Sequence, residues 1–241
     1  MSVLQPQSVR RLAIPHRYIF LPLAVVILAS ALSQYTDVNL LIAKGFFITA
    51  SHHWLAAHSW LANTLLHDWG RNLIATLFLI ALMVFLLGYV HPLRFSQCRK
   101  AAGYLALCIV VSTSLVGLGK KLTNVDCPGE LRQFGGNAPY VHLFSHKPVQ
   151  HPAGHCFPGG HSSGAFSLFA LFFIFLIYWP QHARKILLSV LLLGLTYAID
   201  QWARGAHFVI DDIWSAVIAW YVALGFYLLV FTRHRQMVEV K

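Results

Sequence analysis

The stretch SSGAFSLFALFFIFLIYW, residues 162–179, carries no charged side chain, and most of its residues are aliphatic or aromatic. A helix needs roughly 20 predominantly apolar residues to cross the hydrocarbon core of a bilayer. This stretch is therefore long enough and apolar enough to span a membrane. The polar sequence PGGH, residues 158–161, stands directly before it. The span therefore begins beside residues that can bind a ligand or transfer a proton.

Five other segments of the chain are apolar over a similar length. They cover about residues 18–36, 72–90, 101–118, 186–202 and 213–231. The chain has 57% hydrophobic and only 11% charged residues, whereas soluble domains have roughly 25% charged residues. The sequence predicts an all-α polytopic membrane helix bundle with about six transmembrane helices. No repeat or long linker divides it, so residues 1–241 are expected to form a single integral membrane domain.

The distribution of positive charge predicts the orientation of this bundle. With both termini in the cytoplasm, the short inner segments hold Arg10, Arg11, Arg17, Arg94, Arg99, Lys100, Arg184, Lys185, Arg233, Arg235 and Lys241. The much longer outer loops hold Lys44, Arg71, Lys120, Lys121, Arg132, Lys147 and Arg204. Lysine and arginine concentrate in short cytoplasmic loops, which favours this orientation. Despite the net charge of +10, no basic face with interleaved aromatic residues is present, so no nucleic-acid partner is expected.

Two kinds of outer segment are predicted. Residues 37–71 contain three tryptophans and leucines at helical spacing (Leu55, Leu61, Leu65, Leu66), which predicts an amphipathic helix on the outer leaflet. That helix serves either as a structural cover or as an entrance for lipid. The loop of about residues 119–161 is rich in glycine and proline, and long loops of this kind are usually functional. It lies on the same face as the short connection 203–212, so the two can meet.

Three polar segments on this face carry candidate chemistry. They are KKLTNVDCP (residues 120–128), FPGGHSSG (157–164) and ARGAHFVIDD (203–212). Gly159 and Gly160 let the backbone approach a ligand closely, and they precede a helix whose first N–H groups lack internal partners. This combination predicts a phosphate cradle, with His161 placed to protonate a leaving oxygen. The alternative is that His161 is only a helix cap or a surface residue.

The third segment offers a histidine and a carboxylate four residues apart. Asp211 would orient His207 and leave its other ring nitrogen free to attack phosphorus, while Asp212 would cap the last helix. The alternative is that either aspartate, Asp211 or Asp212, merely caps that helix. Arg204 and Asp200 are also four apart and form either a structural ion pair or a phosphate-binding arginine with its support. Lys120 and Lys121 either bind phosphate or extend to the interface as solvated lysines.

The order of these segments resembles the type 2 phosphatidic acid phosphatase superfamily, whose signature is K-x6-R-P, P-S-G-H and S-R-x5-H-x3-D. Lys120 and Pro128 match the first motif, and Cys127 stands at its arginine. Pro158, Gly159, Gly160 and His161 stand at the four positions of the second motif, with Gly159 in place of the serine. His207 and Asp211 match the third, where Asp200 and Gln201 replace the serine and arginine. We expect Arg204 and Arg132 to replace the two missing arginines.

The resemblance implies an enzyme that hydrolyses phosphoric esters or diphosphates of lipids. It implies that His207 forms a phosphohistidine, that Asp211 raises its nucleophilicity, that His161 protonates the leaving group and that Lys120 binds phosphate. It also implies hydrolysis without a metal or other cofactor. The substrate would be a membrane lipid phosphate such as polyprenyl diphosphate, phosphatidic acid, phosphatidylglycerophosphate or lipid A phosphate. The alternatives are transfer of the phosphoryl group between lipids, and a non-catalytic membrane protein that binds anionic lipid.

The cysteines give one further expectation. Cys127 and Cys156 both fall in the long outer loop, where an oxidising compartment favours pairing, so they are predicted to form a disulfide. The histidines of that loop (His142, His146, His151, His155) fit no compact ligand spacing, and no metal site is predicted. In a Gram-negative cell the expected location is the inner membrane, with the site on the periplasmic face. The sequence predicts no oligomeric state.

Overall fold

The computed structural model describes residues 15–148 and 152–232. The fold is the all-α membrane bundle that the sequence predicts, and six helical segments of the described residues are long and apolar enough to cross a membrane. The α-helices are α1 (Arg17–Tyr35), α2 (Val38–Phe46), α3 (Gly70–Val90), α4 (Pro92–Thr123), α5 (Gly160–Ser167), α6 (Phe169–Tyr178), α7 (Pro180–Ala203) and α8 (Val209–Tyr227). Six residues named above lie outside these ranges. They are Arg10, Arg11, Arg233, Arg235 and Lys241, which were used to predict the orientation, and the loop histidine His151.

Several helices extend beyond their apolar segments. α4 begins at Pro92 and ends at Thr123, whereas the apolar pattern marks only residues 101–118. Proline suits the first turn of a helix because its missing N–H would have no partner there. At the other end Asn124 adopts a left-handed φ of 51°, a conformation that commonly terminates helices. The polar residues at both ends therefore continue the helix out of the apolar layer.

The fourth span is built from two helices. α5 and α6 follow one another with a break at Leu168, whose N–H donates to the carbonyl of Ala165 at 3.1 Å. The Ser167 hydroxyl donates to the carbonyl of Gly164 at 2.5 Å. These bonds tighten the turn in the middle of the span.

The segment 37–71 is not one amphipathic helix. After α2 it forms a small hairpin of β1 (Phe47–Ile48) and β2 (His53–Trp54), and a π-helical segment, Leu61–Trp69, then runs directly into α3. Helix forms in part of the segment, over Val38–Phe46 and Leu61–Trp69, and between these two parts Trp54 packs in an apolar cluster with Leu40, Phe134 and Phe208. Trp54 is only 9% exposed, while the other two tryptophans of the segment stay at the surface.

The two ends of the bundle differ in charge. α3, α5 and α8 begin at one end, where α4 and α7 finish, and we call this the cavity end because it holds the cavity described below. The helix termini at the other end, the opposite end, carry Arg17, Arg94, Arg99, Lys100, Arg184 and Lys185. The cations that were predicted to be cytoplasmic, as far as they lie in the described residues, are thus grouped together at the end away from the cavity.

Aromatic side chains fill the bundle away from the cavity end. Phe172, Phe173 and Tyr104 are at most 2% exposed, and Trp220 stacks on Phe172 with ring centroids 5.7 Å apart. The polar tips find backbone partners: Tyr104 donates to the carbonyl of Ala223 at 2.8 Å, and Trp220 donates to that of Tyr18 at 2.7 Å. Aromatic rings bury much apolar area. This core therefore holds α1, α4, α6 and α8 as a frame for the site.

Candidate active site

A cavity of about 510 Å³ lies at the cavity end. One part of its wall is basic and is formed by His67, Arg71, Lys120, His161 and His207. Another part is apolar and is formed by Ile74, Ala75, Phe78, Ile109 and Val110 on α3 and α4. No carboxylate is among the described lining residues. The cavity therefore suits an anionic group that is attached to an apolar chain.

His207 lies just before α8 and is 6% exposed. Its Nδ1 is 3.4 Å from Oδ2 of Asp211, and the backbone N–H of Phe208 donates to the same oxygen at 2.8 Å. Asp211 thus lies beside His207, as predicted, but it also caps α8. A carboxylate at the third helical position reaches back to the N–H of the residue before the helix. The cap assigned to Asp212 from the sequence is therefore wrong.

Asp212 instead joins three elements. Its Oδ1 accepts a hydrogen bond from Ser162 of α5 at 2.5 Å, and its Oδ2 accepts one from the indole of Trp202 of α7 at 2.6 Å. A buried carboxylate requires such partners. Gly159 lies against it, because a Cβ at that position would be 2.2 Å from Oδ1 of Asp212. Glycine in the second motif thus leaves room for the bond between α8 and α5.

Lys120 connects the end of α4 with the histidine. Its Nζ is 3.5 Å from Nε2 of His207 and donates to the carbonyl of Cys156 at 3.2 Å. The lysine stem lies over the start of α5, where a Cβ on Gly160 would be 2.9 Å from the lysine Cε. The three polar segments of the sequence therefore converge here, and Lys120 occupies the cavity instead of extending to solvent.

The two glycines of the second motif differ in what they can bind. The N–H of Gly159 donates to the carbonyl of Asp211 at 3.0 Å, so it is not free to receive a phosphate oxygen. Gly160 is the first residue of α5 and lines the cavity. First-turn N–H groups have no partner within their helix. The backbone cradle predicted at Gly159 and Gly160 therefore reduces to Gly160 and the residues after it.

His161 has a defined hydrogen-bond partner. Its Nε2 lies 2.9 Å from the carbonyl oxygen of Leu66, which only accepts, so Nε2 carries a proton and Nδ1 is the other reactive position. The ring stacks on His67 with centroids 4.5 Å apart and faces Tyr197 at 5.1 Å. His161 is thus held by one hydrogen bond and two neighbouring rings, and it is not a helix cap.

Leu66 and His67 belong to the π-helical segment before α3, and Arg71 follows in the first turn of α3. None of these three residues was predicted to belong to the site. π-helical turns are frequent at functional sites, but the pattern of residues 61–71 did not reveal one. The sequence feature that could have indicated a site here is the spacing of His67 and Arg71, which are four residues apart on the predicted outer face.

The two arginines predicted to replace the motif arginines do not line the cavity. Arg204 has Nη1 3.9 Å from Oδ2 of Asp200, so its geometry is that of the ion pair. Arg132 is exposed, and its Nε donates to the carbonyl of Asn137 at 3.1 Å in its own loop. Arg132 thus bonds within its own loop, whereas Nη1 of Arg204 is buried and makes no hydrogen bond among the described residues. Gln201, which stands at a motif-arginine position, does line the cavity.

The structure contains the disulfide between Cys127 and Cys156 that the sequence predicts. The Cys156 sulfur is 3.4 Å from Nδ1 of His207, and the N–H of Cys156 donates to the carbonyl of Val125 at 2.9 Å. The bridge therefore joins the first motif to the second directly behind the histidine. Ligand-type atoms of Cys156, His207 and Asp211 are within 4.8 Å of one another, but a sulfur in a disulfide is not a thiolate ligand.

Comparison with known proteins gives two matches. The family model of the PAP2 superfamily matches residues 101–235. A solved structure, the transmembrane PAP2-type phosphatidylglycerolphosphate phosphatase from Bacillus subtilis, is similar with a TM-score of 0.56 and 18% sequence identity, over 88% of this chain and 96% of that chain. At this identity the likeness shows a shared fold. No curated protein matches the chain.

Proposed function

The chain belongs to the PAP2 superfamily, and from this premise we propose that it hydrolyses a lipid phosphate or diphosphate at the outer face of the membrane, through a phosphohistidine on His207. The observation that carries the proposal is the position of His207. Its Nδ1 faces a carboxylate while its Nε2 faces Lys120 in a cavity whose described lining has no acidic side chain. This combination favours nucleophilic attack on an anionic substrate, because the carboxylate orients the ring and the ammonium group attracts the phosphate.

The first step is attack by Nε2 of His207 on phosphorus. The carboxylate of Asp211, whose Oδ2 is 3.4 Å from Nδ1, favours a proton on Nδ1 and so leaves the lone pair of the ring on Nε2. A bond forms between Nε2 and phosphorus as the bond from phosphorus to the leaving oxygen breaks. The ring becomes cationic, and the buried carboxylate of Asp211 stabilises it. Lys120 and the first-turn N–H groups of α5 offset charge on the phosphoryl oxygens.

His161 supplies the proton for the leaving oxygen. In the imidazolium form its Nε2–H stays bonded to the carbonyl of Leu66, so Nδ1–H is the proton that is transferred. In the second step a water oxygen attacks phosphorus and the bond to Nε2 breaks. The neutral His161 takes the proton of that water, which restores both histidines and releases inorganic phosphate.

The apolar wall of the cavity supports a lipid substrate. Ile74 and Phe78 on α3 line the same cavity as the basic groups, and so do Ile109 and Val110 on α4. An acyl or prenyl chain buries its surface along such a wall, at roughly 0.8 kcal/mol per CH₂ group. Polyprenyl diphosphate, phosphatidic acid, phosphatidylglycerophosphate and lipid A phosphate all combine such a chain with a terminal phosphate.

The proposed orientation places both termini in the cytoplasm and the cavity on the extracytoplasmic side, which is periplasmic in a Gram-negative inner membrane. Its support is the group of six described cations at the opposite end of the bundle. Labelling of single cysteines tests it in intact cells. A cysteine in the loop 135–148 should react with a membrane-impermeant maleimide, whereas Cys98 should not. The reverse pattern would contradict the orientation.

The test of the function is release of inorganic phosphate from a panel of these four lipids by the purified protein. His207→Ala should abolish release and phosphoryl labelling of the protein by radiolabelled lipid phosphate, whereas His182→Ala, an exposed histidine on α7, should keep both. Unchanged release by His207→Ala contradicts the nucleophile assignment. Loss of release after addition of a chelator contradicts the metal-free scheme.

A non-catalytic, lipid-binding function is the second candidate. It is favoured by one observation, the neutral residues Cys127 and Gln201 at the motif-arginine positions. Phosphate release separates the two functions, because a binding protein releases none. Phosphotransfer is distinguished by adding an unlabelled acceptor lipid, since transfer moves the label to that lipid instead of to free phosphate.

A further inference from the structure

The wall of the cavity at Gln201 has no positive charge. Gln201 is 3% exposed and its Nε2 donates to Asp200 at 2.7 Å. It stands where the family motif has an arginine, and it lines the same cavity as Lys120, His161 and His207. The cavity therefore contains the position of the motif arginine but not its guanidinium. A phosphoryl group bound there would have Lys120 as its single motif cation.

Arg71 lies on another wall of the same cavity. It forms no salt bridge with any carboxylate of the described ranges, in contrast to Arg204, which is paired with Asp200. It is also outside the residues 101–235 that match the family model. Arg71 is thus a cation that the motifs do not account for, with donors available to a ligand in the cavity.

The backbone at Arg71 is positioned by close packing. A Cβ on the preceding residue, Gly70, would be 2.7 Å from the ring of Tyr197 on α7, so α3 and α7 approach closely here. Five residues before Arg71, the carbonyl of Leu66 holds His161 at 2.9 Å. The same short segment therefore positions both the arginine and the histidine acid, which gives them a stable spacing.

We propose that Arg71 binds the phosphate oxygens of the substrate and replaces the arginine that the third motif lacks. The proposal rests on the function proposed above. A guanidinium donates two parallel hydrogen bonds to a phosphoryl group, whereas the Lys120 ammonium acts as a point charge. Together the two residues supply the positive charge that the neutral Gln201 does not.

Kinetics of four variants on the best lipid of the panel test the assignment. Arg71→Ala should lower kcat/KM by about 10- to 150-fold, the range for a lost hydrogen bond to a charged group. The kcat/KM of Arg71→Lys should lie between the values of the wild type and Arg71→Ala. Gln201→Arg restores the motif arginine, so Arg71→Ala/Gln201→Arg should recover part of the loss. A merely structural role of Arg71 would not permit this rescue. Arg94→Ala, an exposed arginine at the opposite end, is the matched control.

Binding of inorganic phosphate, measured by calorimetry in detergent, gives a readout independent of turnover. The Kd of Arg71→Ala should be weaker by a similar factor, and that of Arg94→Ala should equal the wild-type value. Equal kcat/KM and Kd in Arg71→Ala and wild type would overturn the assignment, as would an equal loss in Arg94→Ala. If the wild type hydrolyses no lipid phosphate, the proposed function fails. The Kd values for phosphate then test the Arg71 assignment by themselves. Equal Kd values for the wild type and Arg71→Ala, or no phosphate binding by the wild type, would overturn that assignment.

Discussion

The two ends of the same helices are built on different principles. Away from the cavity, α6 and α8 meet through Phe172, Phe173 and Trp220, whose contacts are apolar and non-directional. At the cavity end, α5 and α8 meet through buried polar groups, such as Ser162 bonded to Asp212 and Ser215 bonded to the carbonyl of Gly159 at 2.7 Å. The first kind of contact tolerates small shifts, whereas the second is lost when its geometry changes.

This difference shows which part of the protein requires precise positions of the helices relative to one another. An apolar core supplies most of the free energy that holds helices together, but it leaves their rotation and height adjustable. The hydrogen bonds at the cavity end define these remaining degrees of freedom. They place two ring nitrogens and an ammonium group around one cavity. Substitutions at the two ends should therefore have separable effects on turnover and on stability.

After the loss of release in His207→Ala, the largest effect is expected at the same end, on turnover alone. His161→Asn keeps a donor for the carbonyl of Leu66 but removes the group that transfers a proton. We expect phosphate release to fall by about 10²- to 10⁴-fold, while the unfolding temperature stays near the wild-type value. His91→Ala, an exposed histidine at the opposite end, should retain full turnover. Full turnover in His161→Asn would remove it from the mechanism.

An intermediate effect on stability and turnover together is expected from the disulfide. Cys127→Ser/Cys156→Ser should lower the free energy of unfolding by about 2–4 kcal/mol. It should also reduce turnover, because the Cys156 carbonyl holds Lys120 and its sulfur contacts His207. Cys98→Ser, at an exposed free cysteine, is the control for denaturant unfolding. Free thiols at both positions in non-reducing mass spectrometry of the wild type would contradict the bridge.

The smallest effect is expected in the aromatic core. Phe172→Leu is a modest change of apolar volume, so it should cost less than about 1.5 kcal/mol of unfolding free energy and leave turnover unchanged. The matched conservative change at the cavity end is Gly159→Ala, whose added methyl would meet Oδ1 of Asp212 at 2.2 Å. It should reduce phosphate release in the same assay. Equal turnover in both variants would show that the two ends do not differ as described.

Part of the candidate site could be predicted from the sequence because its residues are close to helix ends. Lys120, His161 and His207 stand where polar sequence meets an apolar span, and spans of alternating direction bring such ends together. Arg132 and Arg204 were assigned by sequence proximity to the motifs, and neither lines the cavity. His67 and Arg71 were not predicted as site residues, because their segment was expected to lie on the membrane surface.

The spans, the all-α class and the pairing of polar segments at one end followed from the sequence by itself. Each depends on the transfer free energy of residues next to one another in the chain, which is independent of distant partners. Only the tertiary structure decided that Asp211 rather than Asp212 caps α8, that Leu66 orients His161 and that Arg71 shares the cavity. These contacts depend on how each helix is rotated against its neighbours, and the buried hydrogen bonds between residues far apart in sequence define that rotation.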